Sequence, residues 1–129
     1  MNNDPLANAL SKINNAEKAN KKEVVIAPIS NLIIKVLEIM KEKSYIEDFE
    51  VKEKDRKRYA IVKLSHNLNK CGAIKPRFFV SKDNYEKYEK RYLPAVNFGY
   101  LVVSTSKGVM TNEEAKDKRI GGVLIAYFY

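Results

Sequence analysis

The stretch VVSTSKGVMT, Val102 to Thr111, sets three hydroxyl side chains in a row, Ser104, Thr105 and Ser106, followed by Lys107 and Gly108. Each hydroxyl both donates and accepts, so the run has the chemistry to meet a phosphate, a ribose 2′-OH or a base edge. Lys107 adds a positive charge, and Gly108 lets a backbone come close. The run lies between an apolar segment and a capped helix, where unpaired N–H groups and the positive end of a helix dipole favour an anion. It lacks the GxxxxGK[ST] order of a nucleotide P-loop, so an ATPase is not indicated. A Ser/Thr turn that satisfies only its own backbone has the same composition. Local chemistry leaves both readings open.

Catalytic chemistry has less to work with. His66 has no Ser, Cys or acidic residue that spacing singles out as a partner, and acid–base catalysis needs a positioned one. Glu113 and Glu114 pair two carboxylates, but acids in the first turn of a helix explain them without a reaction. Cys71 is the single cysteine and His66 the single histidine, which argues against a structural zinc site and rules out an intrachain disulfide. Cys71 reads as a small buried thiol. No cofactor is indicated. KPRF, Lys75 to Phe78, places Lys75 and Arg77 around a rigid proline beside an aromatic, a candidate RNA contact. KDRKR, residues 54–58, reads first as a solvated hairpin tip. Tyr85, Tyr88 and Tyr92 recur at the helical burial period, which favours core over base stacking.

Composition bounds the partner. The chain has 129 residues, 24 Lys and Arg against 16 Asp and Glu, and a net charge of +8. That excess favours an anionic partner, most often nucleic acid. Residues 1–64 carry 13 basic and 10 acidic side chains, and residues 65–129 carry 11 and 6. The excess therefore leans towards the half with the hydroxyl run. No apolar stretch approaches the roughly 20 residues of a membrane helix, and the first residues lack a secretory pattern. The expectation is a soluble intracellular protein.

The elements that must position these residues follow from periodicity. Asp4-Pro5 opens a helix, with Leu6, Ala9, Leu10, Ile13 and Ala16 on one face. EVVIA (23–27) is a strand ended by Pro28. Ser30 caps a second helix with Leu32, Ile33, Val36, Leu37 and Met40 as its stripe. YIEDFEVKE is a strand with one irregular step at Glu47-Asp48, and YAIVKLS (59–65) is its partner. After an irregular connection (66–76), RFFVS (77–81) is a short strand. Asp83 and Glu86 have capping-box spacing for a helix that Pro94 stops. FGYLVVST (98–105) is a buried strand, Thr111 and Glu114 cap a short helix, and VLIAYFY (123–129) is a closing strand after Gly121-Gly122. The fold class is α+β, with two small subdomains packed together: an α-β-α-β-β unit at 1–65, and at 66–129 a mainly antiparallel β unit with short helices that carries the hydroxyl loop.

Four stretches converge on one family. NDPLANALSKINNAEKANK, LNKCGAIKPRF, RYLPAVNFGYLVVSTSKGVMTNEEA and GGVLIAYFY, in this order along nearly the whole chain, resemble small-subunit ribosomal protein eight. NKCGAIKPRF and the longer helix before Leu93-Pro94 are similar to the archaeal and eukaryotic cytosolic branch. The resemblance implies a non-enzymatic structural protein of the cytoplasmic ribosome. It implies direct binding to the central domain of small-subunit ribosomal RNA, help in its assembly, and neighbouring small-subunit ribosomal proteins as further partners. No membrane and no small-molecule substrate is expected. Carried over residue by residue, it nominates Ser104, Thr105, Ser106, Lys107 and Gly108, with Gly121 and Gly122 beside that loop. The family's P-x-S-K turn falls on Pro28, Ser30 and Asn31, with Asn in place of the usual Lys. Val123 stands where the bacterial branch has Glu. The alternative from another class is a small basic protein or enzyme that uses the Ser/Thr-Lys-Gly loop to hold a phosphate-bearing metabolite.

Overall fold

A computed structural model describes residues 4–95 and 98–129. The chain divides into two compact units, Met1–Cys71 and Gly72–Tyr129. Together they are α+β, each with helices and antiparallel strand pairing.

The first unit runs α1 (Pro5–Lys18), β1 (Glu23–Ile26), α2 (Asn31–Glu42), β2 (Ile46–Lys54) and β3 (Lys57–Leu64). The Asp4 carboxylate accepts from the N–H groups of Leu6 and Ala7, and the Ser30 hydroxyl accepts from Ile33 N–H. Each such cap is worth about 1 kcal/mol. The face of α1 expected to be apolar is the one buried: Leu6, Ala9, Leu10, Ile13 and Ala16. In α2 the buried stripe is Ile33, Val36, Leu37, Ile39 and Met40, and Leu32 lies at its margin. The three strands pair antiparallel in the order β1-β3-β2. The irregular step in β2 is a register shift between Ile46 and Asp48. α1 packs on β1 and α2, and α2 packs on β2. This buries Ile26, Ile46, Ala60, Val62 and Leu64.

The tip joining β2 to β3 is the two-residue turn Asp55-Arg56, with Lys54 opposite Lys57. Both turn residues have positive φ, 53° and 65°, as a type I′ hairpin turn requires. A non-glycine side chain resists that conformation. Cys71 closes the first unit. Its side chain is buried and its thiol donates to Leu10 O at 3.3 Å.

The second unit holds β4 (which begins at Cys71 and runs to Ala73), β5 (Phe79–Val80), α3 (Tyr85–Tyr92), β6 (Tyr100–Thr105), β7 (Gly108–Thr111), α4 (Asn112–Asp117) and β8 (Gly122–Phe128). The sheet runs β4-β8-β6-β7, with β5 also on β8. One face buries Ile74, Tyr85, Leu93, Leu101, Val103, Met110 and Leu124 as a single cluster. The tyrosine face of α3 belongs to this core: Tyr85 is buried and donates to Ile120 O at 2.9 Å, and Tyr92 stacks on Tyr127.

Three local expectations change. α3 starts at Tyr85 with Asn84 at the cap position and no side-chain cap bond, so Asp83 caps nothing. The connection after residue 66 contains β4, too short for its apolar residues to show a period. The chain also does not pass straight from β6 into a helix. It turns back first as β7, which pairs antiparallel with β6. The Thr111 cap on α4 is present, its hydroxyl accepting from Glu114 N–H at 3.3 Å.

Two outcomes are expected. Replacing Arg56 with Gly should raise stability to urea by roughly 0.5–1 kcal/mol, because the turn no longer forces a side chain into the left-handed region. Burial, and secondarily the Glu17 carboxylate, push the Cys71 thiol up from 9.0 to about 12. The folded protein should therefore resist iodoacetamide at pH 8 and react once unfolded. Because the folded pKa is the raised one, the Cys71 contribution to stability is complete below pH 9 and is lost as pH climbs from there towards 12.

Candidate nucleic-acid interface

The hydroxyl run is the tip of the β6–β7 hairpin. Thr105 pairs with Gly108, and Ser106 and Lys107 form the turn. Gly108 has a φ of 116°, and nothing lies within 4 Å of where its Cβ would be. Glycine is required there by backbone conformation rather than by crowding. The Thr105 hydroxyl accepts from Lys107 N–H at 3.1 Å and donates to Gly108 O at 2.8 Å. It closes the turn on itself. The Ser104 and Ser106 hydroxyls make no hydrogen bond within the described residues. Ser106, Lys107 and Gly108 are exposed, and Ser104 and Thr105 half-buried.

This geometry corrects the expected electrostatics. The tip is separated from α4 by the length of β7, and α4 has only six residues. The α4 N-terminus is capped by its own Thr111, so its N–H groups do not serve the tip. The charged group at the tip is the exposed Lys107.

Of the paired glycines expected beside the hydroxyl loop, Gly122 lies against the hairpin, whereas Gly121 lies against the end of β5 at Val80 and Ser81. A Cβ on Gly122 would stand 2.5 Å from Ser104 O and 3.0 Å from Thr105 Cγ2, and one on Gly121 would stand 2.3 Å from Val80 O. Both positions are closed to any side chain. Strand register then lines up Phe79, Val123, Ser104 and Val109 across β5, β8, β6 and β7. Directly opposed residues share a sheet face. Val123, where a bacterial relative would carry Glu, therefore sits directly beside Ser104.

Phe79 is the member of that row that sequence reasoning missed. KPRF directed attention to Phe78, but Phe78 is half-buried and packs on Tyr88. Phe79 is 70% exposed. Two adjacent phenylalanines in a strand must face opposite ways, a signal that was present in period-2 alternation. Lys75 and Arg77 are exposed on the connection just before β5.

Ser30 and Asn31 lie in the first unit. Ser30 is spent on capping α2. Asn31 Oδ1 accepts from Arg58 Nη1 at 3.5 Å, and Arg58 Nη2 donates to Ile29 O at 3.4 Å. The cation at this corner thus comes from β3, 27 residues along the chain, a distance no local motif spans. His66 also has a distant partner, with its Nδ1 3.1 Å from Glu17 Oε1. The one thiol that feels the Glu17 carboxylate, Cys71, is buried and pushed up to about 12, so it stays protonated and unreactive. Among the described residues no group of three or more His, Cys, Asp or Glu side chains could hold a metal ion. No described helix is long and apolar enough to cross a membrane. Two surface cavities, one lined by α3 and α4 residues and one by β2 and β3 residues, include no hairpin-tip residue in their linings.

Two comparisons bear on identity. The family described as Ribosomal protein S8 matches residues 4–129. The chain is 53% identical, over 129 residues and the full length of both, to the Small ribosomal subunit protein uS8 of Archaeoglobus fulgidus. This archaeal relative agrees with the branch that NKCGAIKPRF suggested. With its α+β fold, its exposed hydroxyl hairpin and a full-length match of this kind, the chain belongs to the ribosomal protein S8 family.

Proposed function

We propose that the protein is a structural constituent of the small ribosomal subunit, without enzymatic activity, that binds the central domain of small-subunit ribosomal RNA through the β6–β7 hairpin tip and helps that RNA fold. It works in the cytoplasmic ribosome beside other small-subunit proteins. The observation that carries the reading is the tip itself. Thr105 fixes the turn from inside, so Ser104 and Ser106 are held at the surface with hydroxyls that no described residue satisfies.

The physics suits RNA. A-form helices offer a shallow groove of 2′-hydroxyls and, at bulges, unstacked bases, so proteins read shape and exposed edges. Short hydroxyl side chains on a closed turn lose little entropy on docking, whereas long cations lose more. Gly108 and Gly122 keep the surface thin around them, and Gly121 packs against the end of β5. Phe79, in the same row as Ser104, offers a face on which a base can stack. Lys107, Lys75 and Arg77 supply affinity through counterion release, independent of sequence. In the first unit the Ser30-Asn31 corner makes a second contact, with the Arg58 guanidinium supplying the charge that Asn31 lacks. Each unit thus contributes one contact surface.

Binding to a central-domain RNA fragment at several salt concentrations tests this division of labour. Lys107→Ala should weaken binding and flatten the salt dependence by about one unit of slope. Phe79→Ala should weaken binding by roughly 1–3 kcal/mol with the slope unchanged, because stacking releases no counterion. Wild-type affinity and slope in both variants would remove the hairpin face from the interface.

A further inference from the structure

A cavity of the second unit lies between α3 and α4, about 550 Å³ in volume, within the usual range of binding pockets. Its floor is apolar, built from buried Tyr85 and Leu93 with Pro94 alongside. Its charge is unlike that of the rest of the unit. The second unit, residues 72–129, has ten basic and six acidic side chains. Four of the six acids line this groove, Asp83, Glu86, Glu89 and Glu113, with three of the ten cations. Two of those cations are already paired inside it: Lys116 lies 2.5 Å from Glu89 Oε2, and Lys90 3.4 Å from Glu86.

One carboxylate is fixed in place. Asn112 is buried; its Oδ1 accepts from Leu101 N–H at 3.1 Å, and its Nδ2 donates to Glu89 Oε2. The strand, the buried amide and the carboxylate form one chain of hydrogen bonds. Glu89, 20% exposed, is thereby held at the groove wall and not left to rotate in solvent.

With four carboxylates against three lysines, the groove is net negative in a unit that is otherwise basic. A protein of net charge +8 repels other basic proteins over most approaches at low salt. Contact between them needs a local surface of opposite sign, where complementarity sets the partner. We infer that the α3–α4 groove receives a cationic segment of a neighbouring protein, with an Arg or Lys directed at Glu86 and Glu89 and an apolar side chain on Leu93 and Pro94. The inference rests on the ribosomal reading, which supplies basic neighbours. It does not depend on which residues touch RNA.

The test is a titration of the full chain, followed by amide chemical shifts, with a short peptide alternating Arg and Leu and with a control peptide carrying Glu for Arg. Saturable shifts confined to the groove residues of α3 and α4 are expected from the first peptide only. Glu86→Lys, whose side chain is 79% exposed and so leaves folding intact, should weaken this binding roughly ten-fold. Glu89→Gln should weaken it with the amide spectrum otherwise preserved. Both variants should bind the central-domain RNA fragment as wild type does. Shifts scattered over the surface, no saturable shift, or an affinity indifferent to both substitutions would overturn the inference. So would RNA competing with the peptide for the groove. Failure of the wild-type chain to bind the RNA fragment would instead count against the ribosomal reading, and the peptide result would stand apart from it.

Discussion

The Thr105 hydroxyl, which accepts from Lys107 N–H and donates to Gly108 O, is the interaction on which the proposed RNA-binding surface depends. One side chain satisfies two backbone groups at a turn that has almost no packing to hold it. Hydrogen bonds of this kind are each worth about 1 kcal/mol net, yet their effect here is geometric. With Thr105 committed inwards, its neighbours Ser104 and Ser106 are committed outwards. Gly108 completes the turn by taking a φ of 116°, and Gly122 lets β8 approach Ser104 O more closely than any side chain would allow. The hydroxyls are therefore positioned by backbone, with little freedom left to lose when a partner docks.

Beneath that turn the second unit is an ordinary core. Val103, Met110 and Leu124 are buried on the face away from Ser104, Val109 and Val123. Burying each such apolar side chain contributes about 1.5–3 kcal/mol, which anchors the strands whose far ends form the tip. Charge is then distributed unevenly over the surface. Lys107 and two hydroxyls mark the hairpin tip, and carboxylates collect between α3 and α4. A surface divided in this way has one region suited to an anion and another suited to a cation. A uniformly basic protein would have only the first.

Much of this was legible in the residues, and the failures have physical causes. The start and buried face of α1 were readable because its cap, its proline and its apolar period agree. The bulge in β2 was readable because Glu47-Asp48 breaks an alternation. β7 was not, because its four residues, Gly108 to Thr111, are too few to display a period and lead directly into the capping residue of α4. The strand-to-helix corner inferred for the hydroxyl run was a hairpin for that reason, and the helix dipole assigned to it does no work there. Phe79 was hidden behind Phe78, since composition does not say which of two adjacent aromatics faces water. Arg58 beside Asn31, His66 beside Glu17, and Asn112 beside Glu89 are all distant in sequence. No spacing rule could have found them. The family resemblance identified the tip, and only the structure separates the hydroxyl that builds it from the two that it presents.

Amide hydrogen exchange, followed residue by residue with and without a saturating central-domain RNA fragment, tests the role of the hairpin most directly. Exchange at Ser106 and Lys107, exposed in the free protein, should slow markedly when the RNA is bound, while the groove-lining residues of α3 and α4 keep their free rates. Unchanged exchange at Ser106 and Lys107, in a complex shown to be fully formed, would mean that the RNA is held elsewhere.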